Sequence, residues 1–398
     1  MNVLPSTPHS QRGVTMVLFT IGMVAIIGMA GLALDMGHAY LNKTRLQNAL
    51  DAAALSGAKV LNDMHDVGQA TAAALTTFNM HLEGELADAG LVPTVEVSET
   101  LSPFAPGGIN PRYLRARVND FPMQVWLAQV LPGIGNTQSV GGSAVAGPIP
   151  LGPKKCDIAP MIICADPGDT DCSDGNCFGY SMGGEEEQTL KTHSGNSSDW
   201  EVGPGNFQLI ELDCGPGGDC VRDALSGEYE GCIEGDSVTT KPGNTVGPVA
   251  QGFNTRFGIY QGGMSSSEAP PDVVTYRDFD SSGNYFWHEG YLSRLQNGPW
   301  DYSPQPEGMG VPQRRILAVP FGNCTGTTDG RGEVEVLGYG CFFMTRPTSH
   351  SGNTQEIYGQ FIAECKADGS VIEAPPIDDD DFDLYKIVLY KDPDSQDS

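Results

Sequence analysis

The residues best suited to chemistry are oxygen ligands. Asp278-Phe279-Asp280-Ser281-Ser282-Gly283-Asn284 runs on to Glu289. This places Asp278, Asp280, Ser282, Asn284 and Glu289 at ligand positions of an EF-hand type loop. Carboxylate, hydroxyl and amide oxygens would surround Ca²⁺, Gly283 would make the bend at the sixth position, and Glu289 at the twelfth would bind in bidentate fashion. Ca²⁺ is the one cofactor the sequence suggests. Against it, Pro270, Pro271 and the β-branched run Val273-Val274-Thr275 point to a strand before the loop rather than a helix. A solvated acidic turn is the competing reading. Asp166, Asp169, Asp171 and Asp174 have Gly175 out of register for such a loop, and Asp378-Asp379-Asp380-Asp381 reads as a self-repelling linker.

Thiols supply the second chemistry. All ten cysteines lie at or beyond Cys156: Cys156, Cys164, Cys172, Cys177, Cys214, Cys220 and Cys232, then Cys324, Cys341 and Cys365. None forms a C-x-x-C pair, which argues against a zinc ribbon or a thioredoxin-like site. An even number at irregular spacing in a Gly- and Pro-rich region points to disulfides, and those persist outside the reducing cytosol. Seven precede the long gap and three follow it, so full pairing requires a bridge across it. Catalytic signals, by contrast, are not expected. There is no H-E-x-x-H and no phosphate-cradling loop, and His193, His288 and His350 stand isolated among turn residues. The expectation is a protein that is not an enzyme.

The elements that must position these groups divide by charge. The chain of 398 residues carries a net charge of −28. Residues 1–150 hold seven basic and ten acidic side chains, whereas residues 151–398 hold fifteen and forty. Such an acidic chain repels phosphate backbones, which excludes a general nucleic-acid binder. Gly and Pro, 51 and 28 residues, make up about a fifth of the chain against a usual 12% or so, and most of the backbone should be strand, turn and loop. Residues 14–34 contain no charge, and a helix of that length reaches roughly 30 Å, the thickness of the hydrocarbon core of a bilayer. They read as a transmembrane helix after a short cytoplasmic tail at residues 1–13. Beyond it, Leu46, Leu50, Ala53, Ala54, Gly57 and Leu61 share one helical face, with Asn42, Gln47, Asn48, Asp51 and Lys59 placed elsewhere. One helix, membrane-embedded first and amphipathic afterwards, is expected as far as residue 66.

Asp35-x-Gly37-x-x-Tyr40, followed by Leu46-Gln47-Asn48-Ala49-Leu50-Asp51-Ala52-Ala53-Ala54-Leu55-Ser56-Gly57-Ala58, resembles the N-terminal domain of TadG-like proteins in the TadE/TadG-like family of Flp (Tad, tight adherence) pilus assembly. The resemblance implies a single-pass bacterial inner-membrane protein with its body in the periplasm and other Tad pilus-assembly proteins or pilin-like subunits as partners. The prepilin-like members are cut after a Gly with Glu five residues on; here Leu18 stands five after Gly13, so the span is expected to stay as a permanent anchor. Some TadG-like proteins carry a von Willebrand A-like domain with a D-x-S-x-S site. Asn284 takes the place of the second Ser after Asp280-x-Ser282, and that domain is not expected.

The fold class expected is α+β. A small pilin-like α+β domain covers residues 35–146, with strands at 92–97, 113–118 and 138–146 and a short helix at 121–131. Residues 147–155, rich in Gly and Pro, read as a linker. A disulfide-tied, mostly β domain follows at 156–376, with strands at 207–212, 273–276, 315–319 and 333–337. An acidic tail with a terminal strand at 384–390 closes the chain at 377–398. The function implied is a structural component of pilus assembly or anchoring. The alternative is a membrane-tethered, Ca²⁺-dependent adhesin.

Overall fold

The structure is a computed structural model. It describes residues 12–127, 135–169, 176–184, 186–192, 206–211, 217–228, 231–243, 245–275, 287–297, 310–325, 330–351, 354–362, 365–371 and 384–395. Within them the architecture is α+β: a long apolar helix at the N-terminus, a sheet against which it packs, and a mostly β region tied by disulfides.

Helix α1, Arg12–Met64, is unbroken for 53 residues and about 80 Å long. No proline falls within it, so nothing removes a ladder bond or clashes with the preceding turn. Asp66 starts helix α2, Val67–His81, by accepting the Gln69 N–H at 2.9 Å, as an N-cap does. Ala70, Ala74 and Phe78 of α2 then close over α1. The sheet beneath consists of β1 (Thr94–Ser98), β2 (Tyr113–Gln124) and β3 (Thr137–Cys156), antiparallel in that order. Leu114, Ala116 and Val118 of β2 and Ala144 and Ala146 of β3 meet Leu46, Leu50, Ala53 and Ala54 of α1 in one core.

Four expectations need correction here. The helix at 121–131 is absent over its described residues: Phe121–Gln124 continue β2 and pair with Thr137–Val140. Residues 147–155 are not a linker but the second half of β3, paired as far as Pro150 with the strand Leu384–Tyr390 and beyond it with Asp368–Val371 and Cys232–Glu234. Pro148 and Pro150 lie two residues apart, so both omit an N–H on the same side of the strand, and the pairing of β3 with β2 ends at Ala146. The prolines thus sit where β3 has become an edge on that side. Gly147 is needed for another reason, since a Cβ there would strike the Tyr113 ring. The terminal strand, placed in an acidic tail, is therefore a full member of the N-terminal sheet, and Cys365–Lys366 runs parallel to it. Residues 273–276 form no strand in their described part; Asp272 makes an isolated bridge to Val311.

The second sheet runs Ser349–Ser351, Thr354–Ile362, Glu333–Met344, Ser237–Pro242 and Asn206–Ile210, with Ile316–Asn323 also paired to Glu333–Met344. Phe253, Phe257, Phe321, Phe342 and Phe361 fill its main core. Disulfides join Cys156 to Cys232, Cys164 to Cys324 and Cys341 to Cys365. The second crosses the gap in the cysteine series, and the third ties one sheet to the other. Cys177 and Cys220 are also disulfide-bonded; Cys172 and Cys214 lie outside the described residues.

Beside the main core, Arg315 is fully buried. It donates to the carbonyls of Met344, Val274 and Thr345 at 2.9, 3.1 and 3.0 Å. Its guanidinium lies over the rings of Phe343, Phe257 and Tyr291. Asp272 accepts the Arg315 and Val274 backbone N–H groups and the Tyr291 hydroxyl. Burial pushes the Asp272 carboxyl up to about 6, against the pull of Arg315, and brings Arg315 down to about 10.

Candidate membrane-anchoring and docking site

The first stretch of α1 is bare. Met16, Val17, Leu18, Phe19, Ile21, Met23, Val24, Ile26, Ile27 and Met29 are exposed, and the helix is long and apolar enough to cross a membrane once. An uninterrupted apolar surface of this size calls for an apolar surrounding.

Burial begins while the helix is still apolar. Gly31, Asp35, Ala39, Asn42, Leu46, Ala49, Leu50, Ala53, Ala54, Gly57, Ala58 and Leu61 are all buried. They recur every three or four residues and so form one face. Asn42, expected off that face, lies on it, and its amide reaches the His38 ring at 3.0 Å.

The inner end of this face is a clasp. Asp35 accepts the backbone N–H groups of Trp126 and Leu127 through its two oxygens, at 3.1 and 2.9 Å. One turn back, a Cβ on Gly31 would lie 2.9 Å from the Leu127 Cβ, so only glycine lets the chain approach so closely. His38 stacks on Trp126 with ring centroids 4.1 Å apart, and its Nε2 lies 3.3 Å from Glu85. Neither Gly31 nor the Trp126–Leu127 pair stood out in the sequence.

Further along, small residues carry the contact. Gln47 donates to the Ser143 carbonyl and to Asp51 at 2.9 and 2.8 Å. Burial raises the Asp51 carboxyl, opposed by that donation from Gln47. A Cβ on Gly57 would fall 2.6 Å from Leu114 and 3.0 Å from Ala74, so the sheet and α2 both close on this point. Asn62 donates to the Arg112 carbonyl at 2.9 Å. The last turn is gripped by the disulfide-tied region: Gln313 donates to the Asn62 and Asp63 carbonyls, and Lys366 lies 3.3 Å from the Asp63 carboxylate. Burial raises the Asp63 carboxyl, with Lys366 pulling the other way.

The sequence motif thus divides in two. Asp35, Leu46, Gln47, Ala53, Ala54, Gly57 and Ala58 serve the clasp and the seam, with Asp51, Ala52 and Leu55 half-buried beside them. Gly37 has open space around it, and Tyr40 is 75% exposed next to exposed Met36 and Leu41. Those positions do nothing visible for the fold.

The Ca²⁺ loop is not reached. Asp278, Asp280, Ser282 and Asn284 lie outside the described residues, and Glu289 is exposed in the first turn of the helix His288–Asn297. Among the described residues, no group of three or more His, Cys, Asp or Glu could hold a metal ion. Asp166 and Asp169 accept nearby backbone N–H groups, from Gly168 and Gly179. His288 packs on Tyr291 and Phe343, and its Nε2 is buried without a hydrogen-bond partner.

A hydrolase-like string also occurs: Gly179-Tyr180-Ser181-Met182-Gly183 fits G-x-S-x-G. In a nucleophile elbow the Ser sits on the sharp turn from strand to helix. Here the turn falls earlier, at Phe178 and Gly179 with φ of 60° and 84°. Ser181 lies in a strand of the hairpin, opposite Asn176. The string is a hairpin, not an elbow.

Residues 13–60 match the Tad family, described as putative Flp pilus-assembly TadE/G-like. No curated protein and no solved structure matches the chain. The matched residues begin in the bare stretch of α1, pass through the clasp and end in the seam, so that α1 is similar to the TadE/G-like segment of Flp pilus-assembly proteins.

Proposed function

We propose that this chain is a structural component of Flp pilus assembly or anchoring, held in a bacterial inner membrane by α1 with its body in the periplasm. The observation that carries the reading is the continuity of α1 from an exposed apolar stretch to a face clamped on a sheet. The likeness to TadE/G-like proteins supports the pilus system. The disulfides support an oxidising compartment for the body. The work proposed is mechanical rather than enzymatic. A helix gripped over its outer half transmits position between bilayer and head, and the exposed Met36, Gly37, Tyr40 and Leu41 offer pilin-like partners a helix face beside the membrane.

Deletion and complementation test this. A strain lacking the protein should lose surface pili and regain them with the wild-type gene. A Tyr40→Asp variant that accumulates in the membrane should fail to restore them. A deletion strain that builds and retains pili normally would contradict the proposal.

A further inference from the structure

We infer that Trp126 and Leu127, at the end of β2, rest in the headgroup–acyl boundary of the bilayer that α1 crosses, giving the protein a second membrane contact. The inference builds on the membrane-spanning reading of α1. Leu127 packs at Gly31, one turn and about 6 Å to the membrane side of Asp35, the first carboxylate in the chain. At that level the rest of the helix surface is exposed and apolar, as at Leu32 and Leu34. Trp126 and Leu127 are themselves 51% and 48% exposed, so the apolar surface of the span continues onto them. Trp suits this depth because its ring is apolar and its indole N–H polar.

Two further observations favour lipid over a protein partner as the occupant. The sequence from Phe121 to Pro153 carries no charged side chain, although the protein as a whole is densely acidic. In addition, the backbone N–H groups of Trp126 and Leu127 are both taken by Asp35. A donor left unmade near hydrocarbon is strongly unfavourable; the carboxylate removes that penalty for both residues at once. The clasp then fixes how deep α1 sits and how it is rotated.

The test uses the full chain in phosphatidylcholine vesicles, with and without bromine on the acyl chains, and reads tryptophan emission. The protein has four tryptophans, so a Trp126→Phe variant serves as the reference. A component quenched by brominated lipid in the wild type and missing from the variant is expected. Equal quenching in both, together with a Trp126 component quenched by aqueous iodide, would overturn the inference and indicate a water- or protein-facing tip. Flotation with the vesicles separates the two readings. A chain that floats without Trp126 quenching defeats this inference alone, whereas a chain that does not float defeats the anchor as well.

Discussion

Along α1 and its sheet, contact depends on residues that are small; in the disulfide-tied head it depends on residues that are large. Gly31, Gly57, Ala53, Ala54 and Ala58 let the helix lie close to β2, β3 and α2 over many turns. The head instead gathers phenylalanines around a core, buries Arg315 among aromatic rings and adds covalent ties. The difference follows from what each region does with its backbone. An unbroken helix offers a regular surface, which short side chains can match continuously. The head has short strands and turns and most of the excess negative charge, so it lacks such a surface and relies on cross-links and a few deeply buried groups.

If the comparison holds, damage should stay in the region where it is made. The largest effect is expected from Cys164→Ser with Cys324→Ser, which opens a sequence separation of 160. The loop-entropy relation puts the loss near 5 kcal/mol. Denaturant unfolding in micelles should show the head melting early while the helical signal of α1 persists; a single shared transition would show that the regions are not independent. Arg315→Met leaves Asp272 buried without its cation and should cost roughly 3–5 kcal/mol. The near-ultraviolet circular dichroism of the head would report it, and an unchanged midpoint would remove Arg315 from the account.

Gly57→Val should act on the other side. With Leu114, Ala74 and the Ala70 carbonyl already close, overpacking costs about 1–3 kcal/mol. Faster hydrogen exchange in α2, with the head unaffected, is the expected reading. The mildest effect near neutral pH concerns His288, and it grows on acidification. Burial lowers His288 to about 3, so the folded protein stays neutral there while the unfolded chain takes a proton below about pH 6.5. Stability from His288 is complete above that pH and falls on acidification. Asp272, raised to about 6, works in reverse: the folded state holds a proton that the unfolded state has released, so its contribution falls as pH rises. Between about pH 4 and 6 the two offset each other. His288→Phe should therefore gain stability relative to wild type on acidification, by about 1.4 kcal/mol per pH unit. Parallel pH profiles for the two proteins would contradict it.

What the sequence made legible was local periodicity. The uncharged run, the face carrying Leu46, Leu50, Ala53 and Ala54, and the strand Leu384–Tyr390 all follow from spacing that one element displays by itself. The clasp was hidden because Asp35 and Trp126 are 91 residues apart and neither carries a pattern naming the other. β3 was misread at Pro148 and Pro150 because proline excludes a strand only where both sides must donate, and which side is open depends on the neighbouring strands. Arg315 entered only as the first residue of a strand; its burial depends on Asp272 and Val274 on one segment and on the Met344 and Thr345 carbonyls on another.

Hydrogen–deuterium exchange on the full chain in lipid nanodiscs bears most directly on the central claim, that one rigid helix runs from the bilayer to the head. Protection should extend without interruption from residue 15 to residue 61, and outside lipid it should survive from residue 46 onward. Rapid exchange between residues 35 and 50 in the nanodisc would mean that the head swings on a hinge, and the account of α1 as a clamped anchor would be wrong.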